Sequence, residues 1–152
     1  MSPLPPPGIY RYASPRHPGE GLRIGVARHA PRGIRREDRQ RQGYFDLWLP
    51  MLGPSPALLK KYREGTVTWA VFARCYRKEM RQPACQQVIE LLASFSHLAP
   101  FSLGCYCGDE ARCHRSLLLP LVLKARALCA KAPEARSYAS PPCYLGELEG
   151  AH

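Results

Sequence analysis

Cys105, Cys107, Cys113 and His114 fall within one short segment, Phe101 to Arg115. They are the side chains that bind soft metals or act as nucleophiles. The segment reads as an apolar strand, a tight polar loop and the first turn of a helix beginning at Cys113. That reading puts all four at the carboxyl end of a strand, where open α/β sheets present their ligand sites.

Four kinds of chemistry suit these residues. The first is a metal centre: three thiolates and an imidazole complete a tetrahedral zinc shell, and Cys105 and Cys107 lie on the same side of a strand. Against it, neighbouring Cys113 and His114 would point to different sides of a helix. The second is a reactive thiolate, because the dipole of a helix N-terminus and the charges of His114 and Arg115 favour a deprotonated cysteine there. Cysteine phosphatases use such a loop, but neither Cys105 nor Cys107 stands at their distance from Arg112, and Asp109 and Glu110 would repel a dianion. The third is anion binding without covalent chemistry, with Arg112, His114 and Arg115 around a phosphate or carboxylate. Arg28 and Arg32 reach the same edge if their strand is a parallel neighbour. The fourth is structural: His114 fixes the loop by hydrogen bonds, Arg115 pairs with an acid such as Glu79 or Asp46, and the cysteines fill the core. Cys75, Cys85, Cys129 and Cys143 show no partner pattern.

The elements that would position the segment are legible from punctuation and periodicity. Leu22 to Ala27 reads as a strand, and Arg28 to Gly43 as a basic loop. Tyr44 to Leu49 is a short aromatic element ended by Pro50. Ser55 before Pro56 caps a helix that Gly65 stops. Thr68 caps the next, where Trp69, Phe72, Tyr76 and Met80 recur at helical steps. Pro83 starts a third, with Val88, Ile89, Leu91, Leu92 and Phe95 inward. Pro100 leads into a strand over Phe101 to Tyr106. The last helix runs to about Lys131 with a kink expected at Pro120. Strands separated by helices favour parallel pairing, so the fold class is α/β: a small single domain with a short, mostly parallel sheet flanked by helices. Residues 1–8, with four prolines, read as an extended, unpacked N-terminal segment. Residues 9–131 form the domain and 132–152 a flexible C-terminal tail.

Composition bounds the partners. The 152-residue chain carries a formal charge of +10. Between Arg16 and Arg41, eight arginines face only Glu20, Glu37 and Asp38, leaving +5. Such a field favours anionic partners: nucleotides, nucleic acid or phosphorylated metabolites. No helix-turn-helix, zinc-finger or RNA-binding pattern is present. Seven cysteines is an odd number and their spacing is not that of a secreted disulfide scaffold. With no signal-peptide pattern and no apolar run near the ~20 residues a membrane helix needs, a cytoplasmic chain with reduced thiols and no membrane contact is expected. Trp48 and Trp69 read as core, Ser55 as a cap, and His29 as a solvated loop histidine.

Several segments in order resemble one family, domain of unknown function 488, which includes the YeaO-like proteins. They are Gly21 to Arg28, Pro31 to Ile34, Asp46 to Leu49, Pro54-Ser55, Trp69 with Phe72, Tyr76 with Glu79, and Cys105 through Cys113-His114-Arg115. The resemblance implies a compact α/β fold over about Ile9 to Lys124. Arg28, Pro31, Arg32 and Gly33 fall on the family's arginine–proline–arginine–glycine pattern, and Cys113-His114-Arg115 on the motif of one branch. Ala30 stands where many members have tryptophan, and Cys107 where an acid is frequent. The expectation carried forward is a pocket where the Arg28–Gly33 loop meets the Cys105–Arg115 loop. In it Arg28, Arg32, Arg112 and Arg115 bind the anion, and Cys113 and His114 are the reactive or orienting pair. In an enzyme His114 would be the general acid–base, its ordinary pKa being about 6.5. The competing classes are a non-catalytic nucleic-acid-binding module and a thiolate metal- or redox-sensing protein with zinc on Cys105, Cys107, Cys113 and His114.

Overall fold

A computed structural model describes residues 2–129. The expected tail at 132–152 and Cys143 lie outside the described residues, and the last helix, expected to run to about Lys131, ends at Leu128, where Cys129 turns extended. Four strands form one sheet: β1 (Gly8–Arg11), β2 (Leu22–Gly25), β3 (Leu47–Trp48) and β4 (Phe101–Cys105). Their order is β1-β4-β2-β3 and every pair is parallel, which makes the sheet wholly parallel. The helices are α1 (Pro56–Arg63), α2 (Trp69–Glu79), α3 (Pro83–Phe95) and α4 (His114–Leu128). Short 3-10 turns cover Arg36–Asp38, Pro50–Leu52 and Glu110–Arg112.

The helix boundaries follow the caps. Ser55 Oγ accepts from Leu58 N–H at 3.2 Å and Thr68 Oγ1 from Val71 N–H at 3.3 Å. Pro56 and Pro83 occupy first-turn positions, where a missing N–H costs nothing. All four helices bury side chains in one core with Ile24, Phe101 and Leu103: Leu58, Phe72, Tyr76, Ile89, Leu92, Leu117, Leu118 and Val122. β4 is central and buried at every position, as a parallel strand covered on both faces should be.

The opposite face is closed by aromatics. Gly25 and Gly104 sit opposite each other in register on β2 and β4. A Cβ at Gly104 would fall inside the Tyr10 ring, and one at Gly25 against Tyr12 and Phe45. The two missing side chains therefore open the trough in which Tyr10, Tyr12 and Phe45 lie. Arg23, fully buried, closes the same face. Its guanidinium sits 4.4 Å from the Tyr10 ring centroid, donates to Ser14 O, Gly43 O and Pro15 O at 2.7–3.0 Å, and pairs with Glu20.

Several sequence expectations change. A first strand precedes the one foreseen, because Gly8–Arg11 pairs with β4 at the sheet edge. The proline run before it is not wholly unpacked either: Pro7 is buried, and Arg126 Nη2 donates to Leu4 O at 3.0 Å. Cys113 is also not helical. At φ −131° and ψ 140° it is the extended residue capping α4, which starts at His114.

Candidate metal centre

The site is built at the carboxyl end of β4. Cys105 is the last strand residue, Cys107 follows in the loop, and the chain returns through the Glu110–Arg112 turn to Cys113 and His114. Asp109 accepts from Ala111 N–H at 3.0 Å, and Ser116 Oγ donates to Glu110 O at 2.6 Å, which fixes the return. The extended Cys113 is what brings its sulfur and the His114 ring together; in a helical first turn they would diverge. The objection to a shared site therefore falls.

Cys105 Sγ lies 3.9 Å from Cys107 Sγ and 3.9 Å from His114 Nδ1, while Cys113 Sγ lies 4.0 Å from the same nitrogen. The ligand atoms of Cys105, Cys113 and His114 are all within 4.8 Å of one another, and all three residues are buried. These three residues form a cluster that could hold a metal ion. Cys107, half-buried, is the open side. The six described cysteines are free thiols.

His114 is 6% exposed, with Nε2 bonded to the backbone and Nδ1 facing the cysteine sulfurs. Nε2 lies 2.7 Å from Val26 O, just beyond the end of β2. A carbonyl only accepts, so Nε2 carries the proton and Nδ1 presents its lone pair to the sulfurs. Burial pushes the imidazole pKa down, which keeps the ring neutral. The Tyr76 ring packs edge-on at 5.6 Å. This geometry commits Nε2 to the Val26 carbonyl and turns Nδ1, the nitrogen left for the acid–base role expected of His114, towards the cysteine sulfurs.

The thiols polarise one another. Contacts with Cys105 and Cys113 pull the Cys107 pKa down, and the Arg115 guanidinium acts in the same direction. Cys113 is pushed up, first by its contact with Cys105, and Cys105 is pushed up, first by its contact with Cys107; burial raises both. The most accessible sulfur is thus the one whose thiolate the surroundings favour.

The arginines do not converge on an anion. Arg115 is fully buried, and its Nη1 donates to Cys105 O at 3.2 Å and Cys107 O at 3.0 Å, with Glu110 at 3.8 Å from Nη2. It braces the thiol loop from beneath and pairs with neither Glu79 nor Asp46. Arg28 donates to Pro54 O at 2.9 Å and Gly53 O at 3.0 Å. Arg32 and Arg112 are exposed. The shared pocket expected of the four is replaced by two braces and two free surface cations.

The other motif residues are braces too. Glu79 accepts from Ser55 N–H at 2.8 Å and from Ser55 Oγ, Tyr76 OH donates to Leu52 O at 2.7 Å, and Trp48 Nε1 donates to Ala27 O at 2.8 Å. Trp69 stacks on Phe72 in the core, and His29 is exposed. Sequence reasoning missed Val26, whose contribution is a backbone carbonyl without side-chain signal, and Arg23, which looked like one more strand cation.

No helix of the described residues is long and apolar enough to cross a membrane. Neither a curated protein nor a solved structure matches the chain. One family does, over residues 7–126, a span holding every brace and all four ligand-type side chains described above. The chain belongs to that family, DUF488-N3a, described as an active DUF488-N3 subclade.

Proposed function

We propose that this protein is a soft-metal-binding α/β domain in which Cys105, Cys107, Cys113 and His114 hold one zinc ion. The observation that carries the reading is His114: its proton is fixed on Nε2 by Val26 O, and its free Nδ1 faces sulfurs at 3.9–4.0 Å. A tetrahedron with metal–sulfur bonds of about 2.3 Å and a metal–nitrogen bond of about 2.0 Å has edges of about 3.6–3.8 Å. The three separations of 3.9–4.0 Å need to close by only a few tenths of an ångström, and the atoms of Cys105, Cys113 and His114 all lie within 4.8 Å of one another. The Val26 carbonyl plays the outer-shell part that metal-bound histidines usually have. A thiolate already favoured at Cys107 lowers the proton cost of binding. Four protein ligands leave no open position, which suits a structural or redox-responsive centre better than a hydrolytic one.

A second reading rests on Cys107 alone. It is the one sulfur of the cluster reachable from solvent and the one whose pKa is pulled down, which suits reactive-thiol chemistry. The family's description as active agrees with such chemistry. The anion expected on Arg28 and Arg115 gains little support at this pocket, because Arg28 Nε and Nη2 and Arg115 Nη1 donate to carbonyls.

One experiment separates the two. Untagged chain purified without chelator is weighed by native mass spectrometry and assayed for metal, with a thiol count before and after chelation. About one zinc per chain, with chelation raising thiol reactivity, supports the centre. No metal and a single fast-reacting thiol, lost in Cys107→Ser, would sink it in favour of the reactive thiolate.

A further inference from the structure

We infer that the groove along β3 lined by Arg36, Arg39 and Trp48 is a binding site for single-stranded nucleic acid. None of its lining residues belongs to the cysteine–histidine donor set, although Phe45 and Trp48 pack in the same cluster as Cys105, Cys107 and Cys113, and it does not depend on the metal reading. Its volume is about 760 Å³, and Phe45, Leu47 and Gln40 complete much of its lining. That is within the roughly 300–1,000 Å³ of small-ligand sites, and β3 is the edge strand, which leaves the groove open to a continuing chain.

The charge balance of the groove decides what it attracts. Two carboxylates line it, Glu37 and Asp46, and each faces an arginine. Arg16 donates to Asp46 at 3.1 Å, and Arg35 lies 3.9 Å from Glu37. Arg41 and Arg35 likewise face Asp38. Among the described residues, Arg36 and Arg39 have no ion-pair partner. The acids of the basic crossing are thus neutralised in place, and the two arginines in the groove are left positive.

The aromatic side chains define the ligand further. Trp48 stacks on Phe45 at 6.1 Å and 18°, and its indole N–H is fixed by Ala27 O, so the ring is held rigid while only half-buried. The Arg39 guanidinium lies 5.9 Å from both ring centroids, and its buried Nε has no hydrogen-bond partner. Two cations beside a rigid, half-exposed indole match a strand whose bases are unstacked: arginine meets phosphate and the Trp48 ring accepts a base face. A duplex hides its base faces, and a bare phosphate has none.

The test uses the full chain and a fluorescently labelled single-stranded 12-mer, with the same sequence as duplex and inorganic phosphate as competitors. Arg36 is exposed, so Arg36→Gln leaves the fold intact; Arg39→Gln is its companion, and Arg63→Gln, an exposed cation on α1, controls for net charge. The expected result is that Arg36→Gln weakens single-strand binding several-fold more than Arg63→Gln and lowers the salt slope by about 0.7. In a Trp69→Phe background, Trp48 is the sole indole, and its emission should be quenched as bases stack. Binding and quenching should survive chelator, which keeps this outcome apart from that of the metal centre. Equal losses in Arg36→Gln and Arg63→Gln, equal affinity for duplex, full competition by phosphate, or unquenched Trp48 would each overturn the site.

Discussion

The carboxylate of Asp46 accepts from Arg16 at 3.1 Å and from the backbone N–H of Arg23 at 2.8 Å. Burial alone would raise its pKa, but the bonds from Arg16 and Arg23 outweigh it and hold the carboxyl below the usual carboxylate range. The folded group therefore binds a proton more weakly than the unfolded one. Its stabilisation is fully present above the unfolded value of about 4 and is lost as pH falls through the lower folded value. Asp46→Asn should cost about 1–2 kcal/mol at neutral pH, and the gap to wild type should narrow as pH falls below about 4. Urea titrations at several pH values read this directly, and a gap that stays constant down to pH 3 would show that the carboxylate is not held. In the sequence Asp46 was an acid with several possible partners. Which arginine it meets depends on a contact between residues far apart in the chain, and spacing does not encode that. The Cys–His cluster shows the same limit in reverse. Its residue types were plain, but their convergence turns on one backbone conformation, the extended Cys113, and on a carbonyl at Val26.

Among the elements, those with local punctuation were legible and those stabilised only by neighbours were not. α1 and α2 begin where Ser55 and Thr68 cap them, and β2 and β4 match the apolar runs expected of buried parallel strands. β1 is four residues after a proline run, with nothing local to mark it, and it exists because β4 offers a pairing edge and Gly104 a seat for Tyr10. The motif residues that looked like site residues turn out to join elements. Glu79 at the end of α2 accepts both donors of Ser55 at the start of α1, so one carboxylate sets the angle between the helices. Glu79→Ala should destabilise by about 1–3 kcal/mol, since it strands a partly buried N–H as well as the cap hydroxyl. Ser55→Ala on top of it should add less than its own cost in the parent chain, because the pair shares bonds. Thermal or urea unfolding of the double-mutant cycle checks this; strictly additive costs would mean that the two residues act independently.

For the whole molecule the question is whether the cysteine cluster is an attachment or part of the frame. Its donors come from the end of central β4, the following loop and the first residue of α4, and His114 is tied to Val26 beyond β2. Those are the elements that hold the core: β2 and β4 pair along their lengths, and α4 supplies Leu117, Leu118 and Val122 to it. A bound ion would therefore be lost only when the central strands and α4 come apart, so its binding energy should appear in global unfolding. At zinc 1,000 times its dissociation constant, that contribution is about 4 kcal/mol. For a chain of this size, each kcal/mol moves Tm by about 2–4 °C. Chelation should then lower Tm by about 10 °C in one cooperative transition, and returned zinc should restore it. The same treatment should leave Cys113→Ser unmoved, already at the lower Tm. An unshifted Tm in a chain shown to carry zinc would place the ion on a separately opening loop, whereas a cooperative drop makes the end of β4 a junction on which the whole sheet depends.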